Sequence, residues 1–242
     1  MATDFETEGL PRVVTDVLAS ASGAEQRADP VLPHTGGPAG NARLTAWTGI
    51  LLLLGFIAEC VTLLSLHSML SAHILIGAVL VPLVLLKTGT TGWRIGRYYL
   101  GSKPYRAAGP PPLLLRILGP LVVLSGLAVL GSGLALIPLG ESSFNPIVTV
   151  AGQGIDAFTV HKICFILWFA ITSAHGLARL VPALQLASGS GREHSPVPGR
   201  ALRGAIIAVT LALSIITGAV VLNLSSTWTS GQVQGFSNVG GK

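Results

Sequence analysis

From Leu44 onward the sequence is a succession of apolar runs, each about as long as the 20 helical residues that a bilayer crossing takes. They lie at about 44–66, 71–93, 113–138, 157–182 and 201–224. The second has the weakest apolar run. Its apolar stretch from Ala72 to Leu86 reaches full length only by including Lys87 and the Thr-Gly segment after it. The runs predict an all-α integral membrane helical bundle of about five transmembrane helices. Composition agrees, because only 10% of the 242 residues are charged and mean hydropathy is +0.68. Soluble domains carry about a quarter charged residues, so an ordinary soluble enzyme is excluded.

The charges that remain are unevenly placed. Nine of the 25 fall in residues 1–43, a block rich in Asp, Glu, Gly, Pro, Ser and Ala. It reads as a flexible cytoplasmic N-terminal tail, within which Leu10 to Leu18 could form a short helix that docks a partner. Its start lacks the basic and apolar pattern of a cleaved signal peptide. Residues 225–242 read as a polar extracytoplasmic C-terminal tail, and 44–224 as the membrane domain.

The loops predict orientation. Arg94, Arg97, Lys103, Arg106 and Arg116 lie between the second and third spans; Arg179, Arg192, Arg200 and Arg203 lie between the fourth and fifth. The loop after the first span and residues 139–156 contain neither Lys nor Arg. The positive-inside rule therefore places the N-terminus in the cytoplasm and the C-terminus outside, in a multi-pass plasma-membrane protein. On this reading the net charge of +5 sets topology and implies no nucleic-acid partner.

Ionisable side chains within a span are costly and point to function. Here they are Glu59, His73, Lys87, His161, Lys162 and His175. His161 and His175 are 14 residues apart, which on a helix is about 40° around the axis and roughly 21 Å along it. His73 and Lys87 have the same separation on a span running the same way. Two helices are thus predicted to present nitrogen donors in two matched layers: His73 with His161 toward the outside, Lys87 with His175 toward the inside. Gly119, Gly126 and Gly133 recur every seven residues on the third span. That stripe would place Gly133 at the outer layer and Gly119 at the inner one. It either packs helices closely or admits a flat ligand.

Two imidazoles facing each other across a bundle suit the axial positions of haem iron, whereas zinc usually takes three or four protein ligands close together. A proton relay would also use His, Lys and Glu at separated depths, without needing matched spacing. The stretch beginning His73-Ile-Leu-Ile-Gly, then Leu-Lys87-Thr-Gly-Thr-Thr-Gly-Trp-Arg-Ile-Gly-Arg-Tyr-Tyr, and the stretch His161-Lys-Ile-Cys-Phe-Ile-Leu-Trp with His175 beyond it resemble membrane b-type cytochromes of the four-helix, di-haem kind. This group includes cytochrome b subunits of molybdopterin oxidoreductases and hydrogenases and cytochrome b561-like proteins; the stretches look like actinobacterial members. The resemblance covers roughly residues 44–185. It implies a four-helix haem-binding core, with one haem b, and a second possible, held by His73, His161, His175 and Lys87. Lys87 departs from the pattern, since a second histidine would be expected there. A lysine ligand needs a neutral amine, and Lys87 could instead snorkel to cytoplasmic headgroups.

The resemblance also implies the function: an electron-carrying subunit of an oxidoreductase complex rather than a stand-alone catalyst. It would link a redox partner subunit (a molybdopterin oxidoreductase, a hydrogenase or another cytochrome) to quinone or another carrier in the lipid bilayer. Glu59 would take a quinol proton, contact a propionate or stay a neutral, hydrogen-bonded glutamate of the bundle, and Lys162 would pair with a propionate or reach headgroups. Two other classes stay open: a cofactor-free proton-coupled transporter or channel, and a structural membrane anchor of a complex. His67, in the outer loop, reads as a solvated histidine and otherwise as a reserve ligand. Trp93, Tyr98 and Tyr99 beside Arg94 and Arg97 read as an interfacial anchor, and Cys60 and Cys164 as small packing residues.

Overall fold

The computed structural model describes residues 12–22, 29–110, 113–188 and 196–239. The long elements are α2 (Gly37–Thr62), α3 (Leu66–Tyr99), α5 (Leu113–Leu139), α6 (Ala157–Ser188) and α7 (Arg200–Leu224); short ones are α1 (Arg12–Ala21), α4 (Lys103–Ala107), α8 (Ser226–Thr229) and α9 (Gln234–Val239). A two-stranded antiparallel hairpin, β1 (Pro146–Val150) and β2 (Gln153–Asp156), joins α5 to α6. The protein is an all-α bundle with this one small hairpin.

Among the described residues, four helical stretches are long and apolar enough to cross a membrane: Gly37–Tyr99, Leu115–Phe144, Ala157–Ser188 and Arg200–Leu224. The first has 63 residues, about three times the length a bilayer needs, and it folds back on itself. The backbone leaves helical geometry at Ser65 (φ −150°, ψ 60°) and at Met69 (φ −108°, ψ 16°). Ser65 and Ser68 bond each other there, and Ser68 also donates to the Ser65 carbonyl, giving backbone freed by the break a partner. The two halves then run antiparallel: Asn41 donates to the Thr90 carbonyl at 3.0 Å and Lys87 to the Thr45 carbonyl at 2.6 Å. At Gly55 any side chain would run into Leu80. Glycine therefore sets how closely α2 and α3 approach, and Leu52, Leu80, Leu83 and Val84 form the apolar cluster between them.

α3 also packs on α5, α5 on α6, and α6 on α2, so these four close a ring. α7 lies outside it against α3. A side chain at Gly218 of α7 would sit 2.9 Å from Leu75 and Val79 of α3. Outward positions such as Leu54, Leu124, Ile166 and Ile215 are exposed, as a lipid-facing surface requires.

Described parts of both tails pack on the bundle. α1 lies against α6 and α5 of its own chain, so the short helix expected near Leu10–Leu18 packs on the bundle; Leu10 lies outside the described residues. α2 begins at Gly37, seven residues before the expected boundary, because Gly36 takes a left-handed turn (φ 78°) and Pro38 opens the helix. Any side chain at Gly36 would meet Val197 at 2.5 Å, and Arg203 donates to the carbonyls of Thr35, Val197 and Pro198. Asp29 accepts two bonds from Arg94, at 2.6 and 3.0 Å. Short polar stretches hid these contacts, since most are bonds to a residue far away in sequence.

The C-terminal segment closes the opposite end. Trp228, Val233 and Phe236 pack with Leu136 and Phe158, and Trp228 Nε1–H donates to the Leu136 carbonyl at 3.1 Å. Gly235 N–H donates to the Glu141 carboxylate. Three apolar side chains spaced 5 and 3 apart make no run, so the sequence concealed the cap. Trp228→Ala removes a buried aromatic and its bond, a loss of about 3–5 kcal/mol for such truncations. Limited proteolysis of the variant in detergent should cut residues 225–239 far faster than in the parent, while α2 to α7 stay intact.

Candidate functional site

The hairpin turn sets α2 beside α3, and the α5–α6 connection sets α5 beside α6. His73 on α3 and His161 on α6 meet inside the ring, with ring centroids 6.4 Å apart and planes at 75°. Each imidazole is held through Nδ1. His73 Nδ1 lies 3.0 Å from Glu59 Oε1 and 3.0 Å from Thr62 Oγ1; His161 Nδ1 lies 3.0 Å from Ser132 Oγ.

These bonds choose a tautomer. The Thr62 hydroxyl donates its hydrogen to the Glu59 carbonyl at 2.6 Å, and Ser132 donates its own to the Val129 carbonyl at 3.0 Å. A hydroxyl has one hydrogen, so both can only accept from the histidines. Each ring therefore carries a proton on Nδ1, which leaves Nε2 as the nitrogen available to a ligand. That is the arrangement in which a histidine ligates a metal through one nitrogen while the other donates to an outer partner. Gly133 stands against His161, where a Cβ would lie 3.0 Å from Cε1. Its missing side chain lets the ring pack directly against α5.

Directly below lies Trp168, 6% exposed. Phe56 of α2 meets it edge-on at 4.6 Å, and a Cβ on Gly126 of α5 would lie 3.7 Å from the indole. Trp168 is midway in sequence between His161 and His175, as Gly126 is between Gly119 and Gly133. The heptads of α5 and α6 thus run in register with opposite directions. Trp168 is the residue that sequence reasoning passed over; its position at the middle of both heptads was the available signal.

The second layer is arranged differently. Lys87 Nζ is turned toward α2 by its bond to the Thr45 carbonyl, and a Cβ on Gly49 would come within 2.8 Å of it. His175 Nδ1 is buried with no hydrogen-bond partner. Nothing approaches within 4 Å of the Cβ position of Gly119. The structure brings His73, His161, Glu59 and Gly133 together; it does not stack Gly119 on His175.

The remaining candidates lie elsewhere. Lys162 sits over the Phe158 ring at 5.1 Å on the exposed side of α6. His67 stacks on Phe236 at 5.5 Å, within the C-terminal cap. Cys60 and Cys164 are free thiols. Trp93 donates to Tyr105, and Arg97 lies over both rings.

Among the described residues no group of three or more His, Cys, Asp or Glu could hold a metal ion. What the first layer offers is two imidazole nitrogens, the axial complement of a metal that arrives in its own equatorial ring. The donor set of the first layer, two facing imidazoles each bonded through Nδ1, is one that a haem would take. No family model, curated protein or solved structure matches the chain.

Gly133→Leu should strain the His161 layer, lowering stability by about 1–3 kcal/mol as overpacking does. Gly131→Ala, with nothing within 4 Å, should change it by less than about 0.5 kcal/mol. Thermal unfolding in detergent separates the two.

Proposed function

We propose that the protein is an integral membrane cytochrome b in which His73 and His161 are the axial ligands of one haem b. The observation that carries this reading is the pair of facing imidazoles, each bonded through Nδ1 to a neighbouring helix. A haem bound there would supply one-electron redox chemistry, with its potential set by axial ligands, hydrogen bonds and burial. The chain's own part is to hold the ligands and exclude water. Glu59 and Thr62 hold His73, Ser132 holds His161, and Gly133 lets the His161 ring pack directly against α5. Trp168 and Phe56 floor the layer. The cap built on Trp228 and Phe236 packs against Ile74, next to His73.

The layer lies toward the end of the bundle whose loops lack Lys and Arg. By the positive-inside rule that end is extracytoplasmic, with the N-terminus in the cytoplasm. Electrons would pass between a redox partner subunit and quinone or another carrier, which makes the protein a subunit of an oxidoreductase complex. A second haem on Lys87 and His175 is not part of the proposal, because the Lys87 amine is bonded to Thr45. A proton path through Glu59, His73, Lys87 and His175 finds less support. Trp168, Phe56 and the Leu52–Leu80 cluster put apolar side chains between the two layers.

Expression with ample haem, followed by pyridine haemochrome assay, tests the ligand pair. His73→Ala and His161→Ala should each lower haem content about tenfold or more, and Ser132→Ala should weaken binding less. Lys87→Ala should leave content and spectrum unchanged. Retention of haem by both histidine variants would contradict the proposal.

A further inference from the structure

The second layer holds an excess of unmet hydrogen-bonding capacity. Phe56 touches Trp168 across antiparallel α2 and α6. Eleven residues further, in opposite directions along the two helices, stand Thr45 and Arg179. Eleven residues make about three full turns, so Thr45 and Arg179 share a depth and face each other as Phe56 and Trp168 do. Lys87 joins them from α3 through its 2.6 Å bond to the Thr45 carbonyl. His175 and Thr172 occupy the same face of α6, four and seven residues before Arg179.

Among the described residues, five buried side-chain polar atoms lack a hydrogen-bond partner, and three of them are here: Thr45 Oγ1, Thr172 Oγ1 and His175 Nδ1. Arg179 forms no ion pair with any described residue. Two cations, Lys87 and Arg179, act on each other and both act on His175, and the one carboxylate acting on Arg179, Asp29, is engaged by Arg94. Buried polar atoms normally find partners, and exceptions call for an explanation. An isolated buried charge costs far more than an unpaired amide.

We infer that α2, α3 and α6 form a binding site for a phosphate group between Thr45, Lys87, Thr172, His175 and Arg179. The donor set fits that chemistry. A guanidinium presents a planar fork that matches phosphate oxygens, the lysine keeps two hydrogens beyond the one used by Thr45, and the hydroxyls and imidazole can donate to further oxygens. The phosphate could belong to a phospholipid headgroup entering between the helices or to a free phosphate ion; both present the same oxygens. The inference is independent of the haem proposal, since none of these five residues belongs to the His73–His161 layer.

The test uses the full chain in a maltoside detergent, which carries no phosphate. Thermal unfolding is followed against short-chain phosphatidylglycerol, against inorganic phosphate, and against short-chain diacylglycerol as a phosphate-free control. A saturable rise in the unfolding midpoint with at least one phosphate probe, and none with the control, is expected. A rise with the lipid alone identifies a headgroup; a rise with inorganic phosphate identifies the free ion. Arg179→Gln should weaken the apparent affinity about tenfold or more, and Thr172→Val, which keeps the side-chain shape, roughly three- to tenfold. If neither probe gives a saturable shift, or if both variants respond as the parent does, the site is refuted.

Discussion

Inside a bilayer a polar side chain cannot turn to water, so it must find its partner within the protein, on its own helix or on a neighbouring one. Here that requirement is met chiefly by α2, whose residues reach both flanking helices. Glu59 and Thr62 of α2 hold His73 of α3, its Thr45 carbonyl takes the Lys87 amine, and its Phe56 meets Trp168 of α6. The antiparallel register of α2 with α3 is what allows all of this. It depends on the turn at Ser65–Met69 and on Gly55, where any side chain would collide with Leu80. A shift of one residue would rotate Glu59 about 100° away from His73.

The same logic runs through α5 and α6. Gly133 lies against His161 and Gly126 against Trp168, two small-for-large matches seven residues apart. A seven-residue step returns to nearly the same face of a helix, so one register serves the imidazole layer and the aromatic layer beneath it. Glycine here works by omission. At each level it removes a side chain where the facing helix supplies a ring.

Much of the bundle was legible because hydrocarbon imposes a simple pattern. Long apolar runs with few charges coincide with the long helices, and the expected boundaries at 113–138, 157–182 and 201–224 lie close to α5, α6 and α7. The 14-residue spacing of His161 and His175, matched by His73 and Lys87, led to the imidazole pair. The inner layer was read less well, since spacing fixes depth and face but not what a long flexible side chain reaches for. Lys87 has the right position to meet His175 and bonds to Thr45 instead. Contacts made by the tails were illegible for a different reason: Asp29–Arg94, Arg203 on the carbonyls of Thr35, Val197 and Pro198, and Trp228 on Leu136 join polar or sparse apolar residues, most of them far apart in sequence, which leave no periodic signal. Trp168 was overlooked because a tryptophan in an apolar run looks like packing, and it is packing, placed between two layers that matter.

The central claim is that two imidazoles across this bundle hold one porphyrin iron. Its most direct test is the reduced-minus-oxidised absorption spectrum of the purified full chain, expressed with adequate haem and quantified as the pyridine haemochrome. A b-type low-spin spectrum with about one haem per chain is predicted. Purified, folded protein with no haem absorbance under those conditions would contradict it.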